Sequence, residues 1–232
     1  MNREMSPAAA RPELRRDLVL LLVALLVLAV WEWLGADLWL IRGYGTPEGF
    51  AWQHHPLFSK GLHEGGRLLA WVMIAWLAWD AWTLRWTGPS RRLRWAAIAL
   101  VLLATLVIST LKRLSDTSCP WDMLEFGGQW PYVPHWLLQV RDGGPGHCFP
   151  SGHASAAFAF LLAWAIWRPF NAVVARRMLV LVLVLGSLFA WVQMARGAHY
   201  LSHSMWTAWL CWAMAWLTTW GVGRFRPVEQ EV

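Results

Sequence analysis

"PSGHASAAFAFLLAWAIW", Pro150 to Trp167, changes character after four residues. The Pro-Ser-Gly-His corner offers hydroxyl, backbone and imidazole groups that bind anions and move protons. The run that follows is apolar on every side of a helix, with no polar face to turn toward water. At ~1.5 Å per residue, a run of this length comes close to crossing a ~30 Å hydrocarbon core. A polar corner at the mouth of such a helix sets the reading of the whole chain.

Working outward, five more runs have the same quality: Leu18–Leu34, Leu68–Leu84, Trp95–Leu111, Met178–Met194 and Ser204–Val222. Hydrophobic residues make up 57% of the chain and charged residues 15%, where a soluble domain carries roughly a quarter charged. The 21 Trp residues suit a chain with much interfacial surface. The expectation is an all-α integral membrane protein, a six-transmembrane helix bundle forming a single membrane domain over residues 1–232. The basic N-terminal flank and long first run, with no small-residue cleavage pattern after it, read as a retained signal anchor. The net charge of +6 is scattered between apolar runs and forms no stripe, which argues against nucleic acid.

With the N-terminus inside, the basic residues sort by side. Only Arg42, Lys60, Arg67, Lys112, Arg113, Arg141 and Arg196 of the 20 fall outside; Arg3, Arg11, Arg224 and Arg226 are among the cytoplasmic set. All 8 histidines fall on the outer side, so the chemistry is expected there. His54, His55, His135 and His147 read as inert loop histidines. Asp80, inside the second run, reads equally as a structural or a functional carboxylate.

Three outer clusters stand at helix ends: "LKRLSDTSCPW" from Leu111, "CFPSGHAS" from Cys148 and "QMARGAHYLSH" from Gln193. Together, over roughly residues 96–220, they resemble the type-2 phosphatidic acid phosphatase family, whose pattern is Lys-x6-Arg-Pro, Pro-Ser-Gly-His and Ser-Arg-x5-His-x3-Asp. The resemblance implies a phosphatase that works through a phosphohistidine and needs no metal or cofactor. On this reading His199 is the nucleophile and His153 the general acid. Lys112, Ser151, Gly152 and Arg196 surround the phosphate. Such a reaction needs preorganised cations and N–H donors around the equatorial oxygens. The start of the fourth helix adds a positive dipole end.

This chain departs from the pattern at three positions. Cys119 stands where the family has the first arginine, Gln193 where it has the second, and His203 where it has the aspartate. Arg196 is the expected substitute for the lost charge, with Arg113, Arg67 and His63 as secondary candidates. His203 is expected to accept from the Nδ1–H of His199. In an alternative frame His203 is itself the nucleophile and Arg196 its arginine. Cys119 and Cys148 flank the second outer loop, each beside a motif. In an oxidising compartment they are expected to form a disulfide, the competing reading being two separate thiols. Cys211 reads as ordinary packing.

The expected reaction is hydrolysis of a lipid phosphate or diphosphate at the periplasmic face of a bacterial inner (plasma) membrane, with both termini cytoplasmic. The partners are the bilayer and its lipid substrate. The alternatives are a phosphotransferase using the same intermediate and a non-catalytic lipid-phosphate binder or transporter. Oligomeric state is not legible in the sequence.

Overall fold

The computed structural model describes residues 7–137 and 140–224. Arg3 and Arg226 lie outside the described residues. The chain is mostly helical. Each of the six apolar runs forms helix: α1 (Pro7–Trp33), α3 (His63–Thr83), α4 (Arg91–Leu114), the pair α5 (Gly152–Phe158) and α6 (Leu161–Trp167), α7 (Ala172–Ala195), and α8 (Leu201–Arg224). A short helix, α2 (Ala36–Ile41), and a two-stranded antiparallel hairpin, β1 (Gly45–Thr46) with β2 (Gly49–Phe50), follow α1. Two helices, Arg91–Leu114 and Ala172–Ala195, are long and apolar enough to cross a membrane.

The Ser151–Trp167 run is not one uninterrupted α-helix. Around Ala159 the backbone tightens to i→i+3 bonds, Phe160 N to Ala157 O (3.0 Å) and Leu162 N to Ala159 O (3.2 Å), before α6 resumes. All seven residues of α6 are buried. They pack with Leu77 and Ala81 of α3, Val101 and Ile108 of α4, Val182 of α7 and Cys211 of α8 in one core. A helix apolar all round needs this central position, because any outer position would expose part of it. Gly186 of α7 allows a close approach to α5: a Cβ there would overlap the Phe158 ring.

The helix α1 runs antiparallel to α8. Indole N–H groups of α8 donate to it at descending positions: Trp206 to Glu32 Oε1 (3.1 Å), Trp209 to Leu21 O (3.0 Å) and Trp216 to Leu14 O (2.9 Å). The outer face of α1 stays bare, with Leu22, Val23, Leu26 and Val27 all more than half exposed.

Buried charge at the α3–α4 turn is paired. Arg94 donates to Asp80 Oδ2 (2.5 Å), to Pro89 O (2.8 Å) and to Trp86 O (2.5 Å), and lies over the Trp167 ring. Asp80 thus has a structural partner, as one of its two readings expected. Nearby, Arg168 bonds Asp17 Oδ2 (2.6 Å) and lies over Trp164.

The opposite end is roofed by the three connecting segments. Ile41, Phe50, Met123, Phe126, Met194 and Tyr200 form a separate small core there. Gly197 sits in the α7–α8 turn with φ 73°, and a Cβ on it would stand 2.3 Å from Phe50. Both the backbone and the packing therefore require glycine.

Candidate active site

The segment between α4 and α5 folds back so that its two ends meet. His147 N donates to Ser115 O (2.8 Å) and Cys148 N to Thr117 O (2.9 Å). Asp142 ties the segment from within: its carboxylate accepts from Ser118 N (2.7 Å), Ser118 Oγ (2.9 Å) and Gly144 N (2.9 Å). Cys119 and Cys148 are joined in a disulfide, with Cα atoms 5.2 Å apart. The sequence expectation of a bridge is met. Closing a loop of sequence separation 29 contributes roughly 3–4 kcal/mol in the chain-entropy picture. The bridge also fixes the end of α4 against the start of α5.

A cavity of about 820 Å³ opens beside this junction, between α3, α4 and α5. Its polar part carries Lys112, Arg113, Arg67, His147, Gly152, His153 and Gln193. Its other walls are apolar, from Trp71 and Ile74 of α3, Leu102 and Leu106 of α4, and Phe160 and Phe189. The Lys112 side chain runs directly over Gly152: a Cβ at 152 would lie 3.9 Å from Nζ. Glycine here lets the ammonium and the backbone approach the same small volume.

His199 and His203 sit behind this polar wall, 2% and 1% exposed. The His199 ring centroid is 6.2 Å from that of His153 and 5.7 Å from that of His203. His203 Nδ1 is 2.9 Å from the Cys148 carbonyl. A carbonyl only accepts, so this nitrogen carries the proton and donates. The expectation that His203 accepts from His199 is corrected accordingly. His199 Nδ1 is 3.4 Å from Cys148 Sγ and 3.5 Å from His203 Nδ1. In the disulfide the sulfur has no hydrogen and can only accept. Cys148 thus holds both imidazoles, with its carbonyl on one and its sulfur beside the other. Burial, with the nearby His203, Lys112 and His153, pushes the His199 imidazolium well below the usual histidine range. The ring is held neutral.

Two further expectations are revised. Arg196 does not line the cavity. It caps α7, with Nε 3.4 Å from Gln53 O and Nη1 3.4 Å from Oε1 of Gln193. Gln193, standing where the family has arginine, does line it. Ser151 is fully buried, and its Oγ accepts from Ala154 N (3.4 Å) as the N-cap of α5. Its job in this structure is to start the helix. Arg113 and Arg67, secondary in the sequence reading, are both on the cavity wall. His63 begins α3, and its side chain lies outside the described residues.

The sequence around this site matches a known family. The profile of the PAP2 superfamily matches residues 93–227, which takes in α4 through α8 and every motif above. The chain belongs to the PAP2 superfamily. Membership indicates a phosphatase acting on phosphate esters. No curated protein and no solved structure matches the chain significantly.

Some neighbours of the site were not legible in the sequence. His135, read as inert, stacks on Phe149 at 3.9 Å between ring centroids and meets His203 edge-on at 5.5 Å. Its Nε2 is 3.1 Å from Glu32 Oε1. Asp37 accepts from Ser202 N (3.0 Å) and from Ser202 Oγ, capping α8 directly before His203. Both carboxylates precede the matched region. No local pattern in the sequence links either one to a motif more than a hundred residues later.

Proposed function

We propose that this PAP2 superfamily member hydrolyses a lipid phosphate or diphosphate at the outer face of a bacterial plasma membrane. The observation that carries the reading is the shape of the cavity. Its cations and imidazoles sit at one end, and its apolar walls continue along α3 and α4, as an amphiphile with a phosphate head requires. The bare apolar faces of the outer helices support six spans, beyond the two that length and hydropathy alone select. The surplus of basic residues in the alternate connections supports an outward-facing site.

In this reading the phosphate lies against Lys112 and the Gly152 backbone, with Arg113 and Arg67 at the mouth. Gln193 offers a neutral amide donor where a cation is usual. The Nε2 lone pair of neutral His199 attacks phosphorus, and His153 protonates the departing oxygen. Water then hydrolyses the phosphohistidine. The Nδ1 of His199 is held by Cys148 rather than by a carboxylate. The imidazolium that develops is stabilised less, but the tautomer is still fixed.

The test is phosphate release by the purified protein from long-chain lipid phosphates and from a water-soluble phosphomonoester. Preference for the lipid substrates is expected. Equal rates on both would remove the lipid assignment, and no release from any member of the panel would favour a non-catalytic binder.

A further inference from the structure

Cys148 Sγ, His199 Nδ1 and His203 Nδ1 lie within 4.8 Å of one another, all buried. The two shorter separations are 3.4 Å (sulfur to His199) and 3.5 Å (nitrogen to nitrogen). A tetrahedral zinc ion has nitrogen at about 2.0–2.1 Å and sulfur at about 2.3 Å, which places neighbouring N and S about 3.5 Å apart and two nitrogens about 3.4 Å apart. Two of the separations among the three atoms already stand at the spacing of a zinc site, and the third is within 4.8 Å. In the oxidised protein they do not make one. A disulfide sulfur is a poor ligand with no charge, and Lys112 nearby disfavours a further cation.

We propose that reduction of the Cys119–Cys148 disulfide converts this cluster into a divalent-metal site, Cys148–His199–His203, at which zinc silences the enzyme. The metal half stands on the geometry alone. The silencing half rests on the reading of His199 as the nucleophile. Cys119 is half-buried, whereas Cys148 is fully enclosed, so a dithiol reductant attacks Cys119 Sγ. The S–S bond breaks and Cys148 leaves as a thiolate between the two imidazoles. The second thiol of the reductant resolves the mixed disulfide. It leaves Cys119 as a thiol and the reductant as its own disulfide, two electrons having passed to the protein. The Cys148 thiolate supplies the negative charge that the histidines lack. Zinc takes the Nδ1 lone pairs, and the proton on His203 Nδ1 moves to Nε2.

The consequence for His199 follows from imidazole chemistry. A neutral ring has one N–H. With metal on Nδ1, that proton must sit on Nε2, and the lone pair that attacks phosphorus is gone. Zinc at this site therefore blocks the nucleophile from behind, without entering the substrate cavity.

The experiment uses full-length Cys119→Ser, which frees Cys148 without added reductant, and in parallel the wild-type chain reduced with dithiothreitol, in case the variant folds poorly. Both are titrated with Co²⁺ and then Zn²⁺. The expected result is one metal per chain, with a thiolate-to-cobalt charge-transfer band that zinc abolishes. His203→Ala in the same background should lack that band. Phosphate release by Cys119→Ser, compared with and without zinc, should fall to near background and recover with a chelator. The oxidised wild type and the Cys119→Ser, Cys148→Ser double variant should be insensitive. Absence of the band and of bound metal in both reduced forms overturns the site. Metal bound at the cluster with unchanged phosphate release overturns the silencing, and with it His199 as nucleophile.

Discussion

Arg94 and Arg168, at one end of the helix bundle, are buried or nearly so, and each meets a carboxylate at 2.5–2.6 Å and an indole face within 5 Å. At the other end Lys112, His199 and His203 gather around the Cys148 backbone, and among the described residues no carboxylate pairs with Lys112. Both ends bury polar groups in an apolar bundle. The first end sets each of these two cations against its own carboxylate. The second leaves a cation and neutral imidazoles with unused capacity beside a cavity of about 820 Å³. Removing groups from water without matching them is costly, and a fold retains that arrangement where an anion arrives to complete it. The contrast separates a clamp from a site.

The sharpest way to break the contrast is to remove a group at each end. His199→Ala should reduce phosphate release to background while leaving the melting temperature close to wild type. Near-normal turnover, with His203→Ala inactive instead, would transfer the nucleophile to His203. His153→Ala should lower turnover by about 10²–10⁴-fold. The loss should shrink for an aryl phosphate, whose leaving group needs no proton, and a trapped phosphoenzyme should still form. An equal loss on both substrates would deny His153 the acid role.

Arg94→Ala should have the opposite profile. Leaving Asp80 buried and unpaired is expected to cost about 3–5 kcal/mol of stability, with kcat per folded molecule unchanged. A fall in kcat without a stability change would make the clamp part of the site. A smaller effect distinguishes the two arginines nearest the site. Arg113→Ala, on the cavity wall, should raise KM for a phosphate ester up to about tenfold. Arg196→Ala, which faces Gln53 and Gln193, should leave KM near wild type. Equal rises would return Arg196 to the phosphate.

The smallest expected effect is in pH. The His199 pKa is depressed by burial, so the ring remains a neutral nucleophile below the usual value of about 6.5. The acid limb of kcat/KM should therefore lie below that pH. For stability the unfolded chain binds the extra proton first. The contribution is present above the unfolded pKa and is lost as pH falls from about 6.5 toward the folded value. An acid limb at or above 6.5 would show that the ring is solvated.

Much of this was legible in the sequence, for physical reasons that act locally. Six apolar runs form helices because hydropathy and its lack of a polar face are properties of consecutive residues. The all-apolar run after Pro-Ser-Gly-His marks the central helix for the same reason. The motif residues Lys112, Gly152 and His153 meet because each ends or begins a helix at the same end of the bundle. Cys119 and Cys148 each adjoin one of those motifs, so helix ends that meet bring the cysteines together.

What only the tertiary structure decided is where side chains point once distant segments pack. Arg196 was one turn from the site by sequence, yet at the end of α7 it bonds Gln53 O and the Gln193 side chain and does not itself line the cavity. Gln193, marked in the sequence only as the place of a missing arginine, lines the cavity instead. His203 donates rather than accepts because a carbonyl from the α4–α5 segment sits 2.9 Å from its Nδ1. Glu32 and Asp37 reach α8 across sequence separations of 174 and 165. Residue type and spacing fix which groups a helix end carries; hydrogen bonds between segments far apart in the chain fix which atom of each group is free to react.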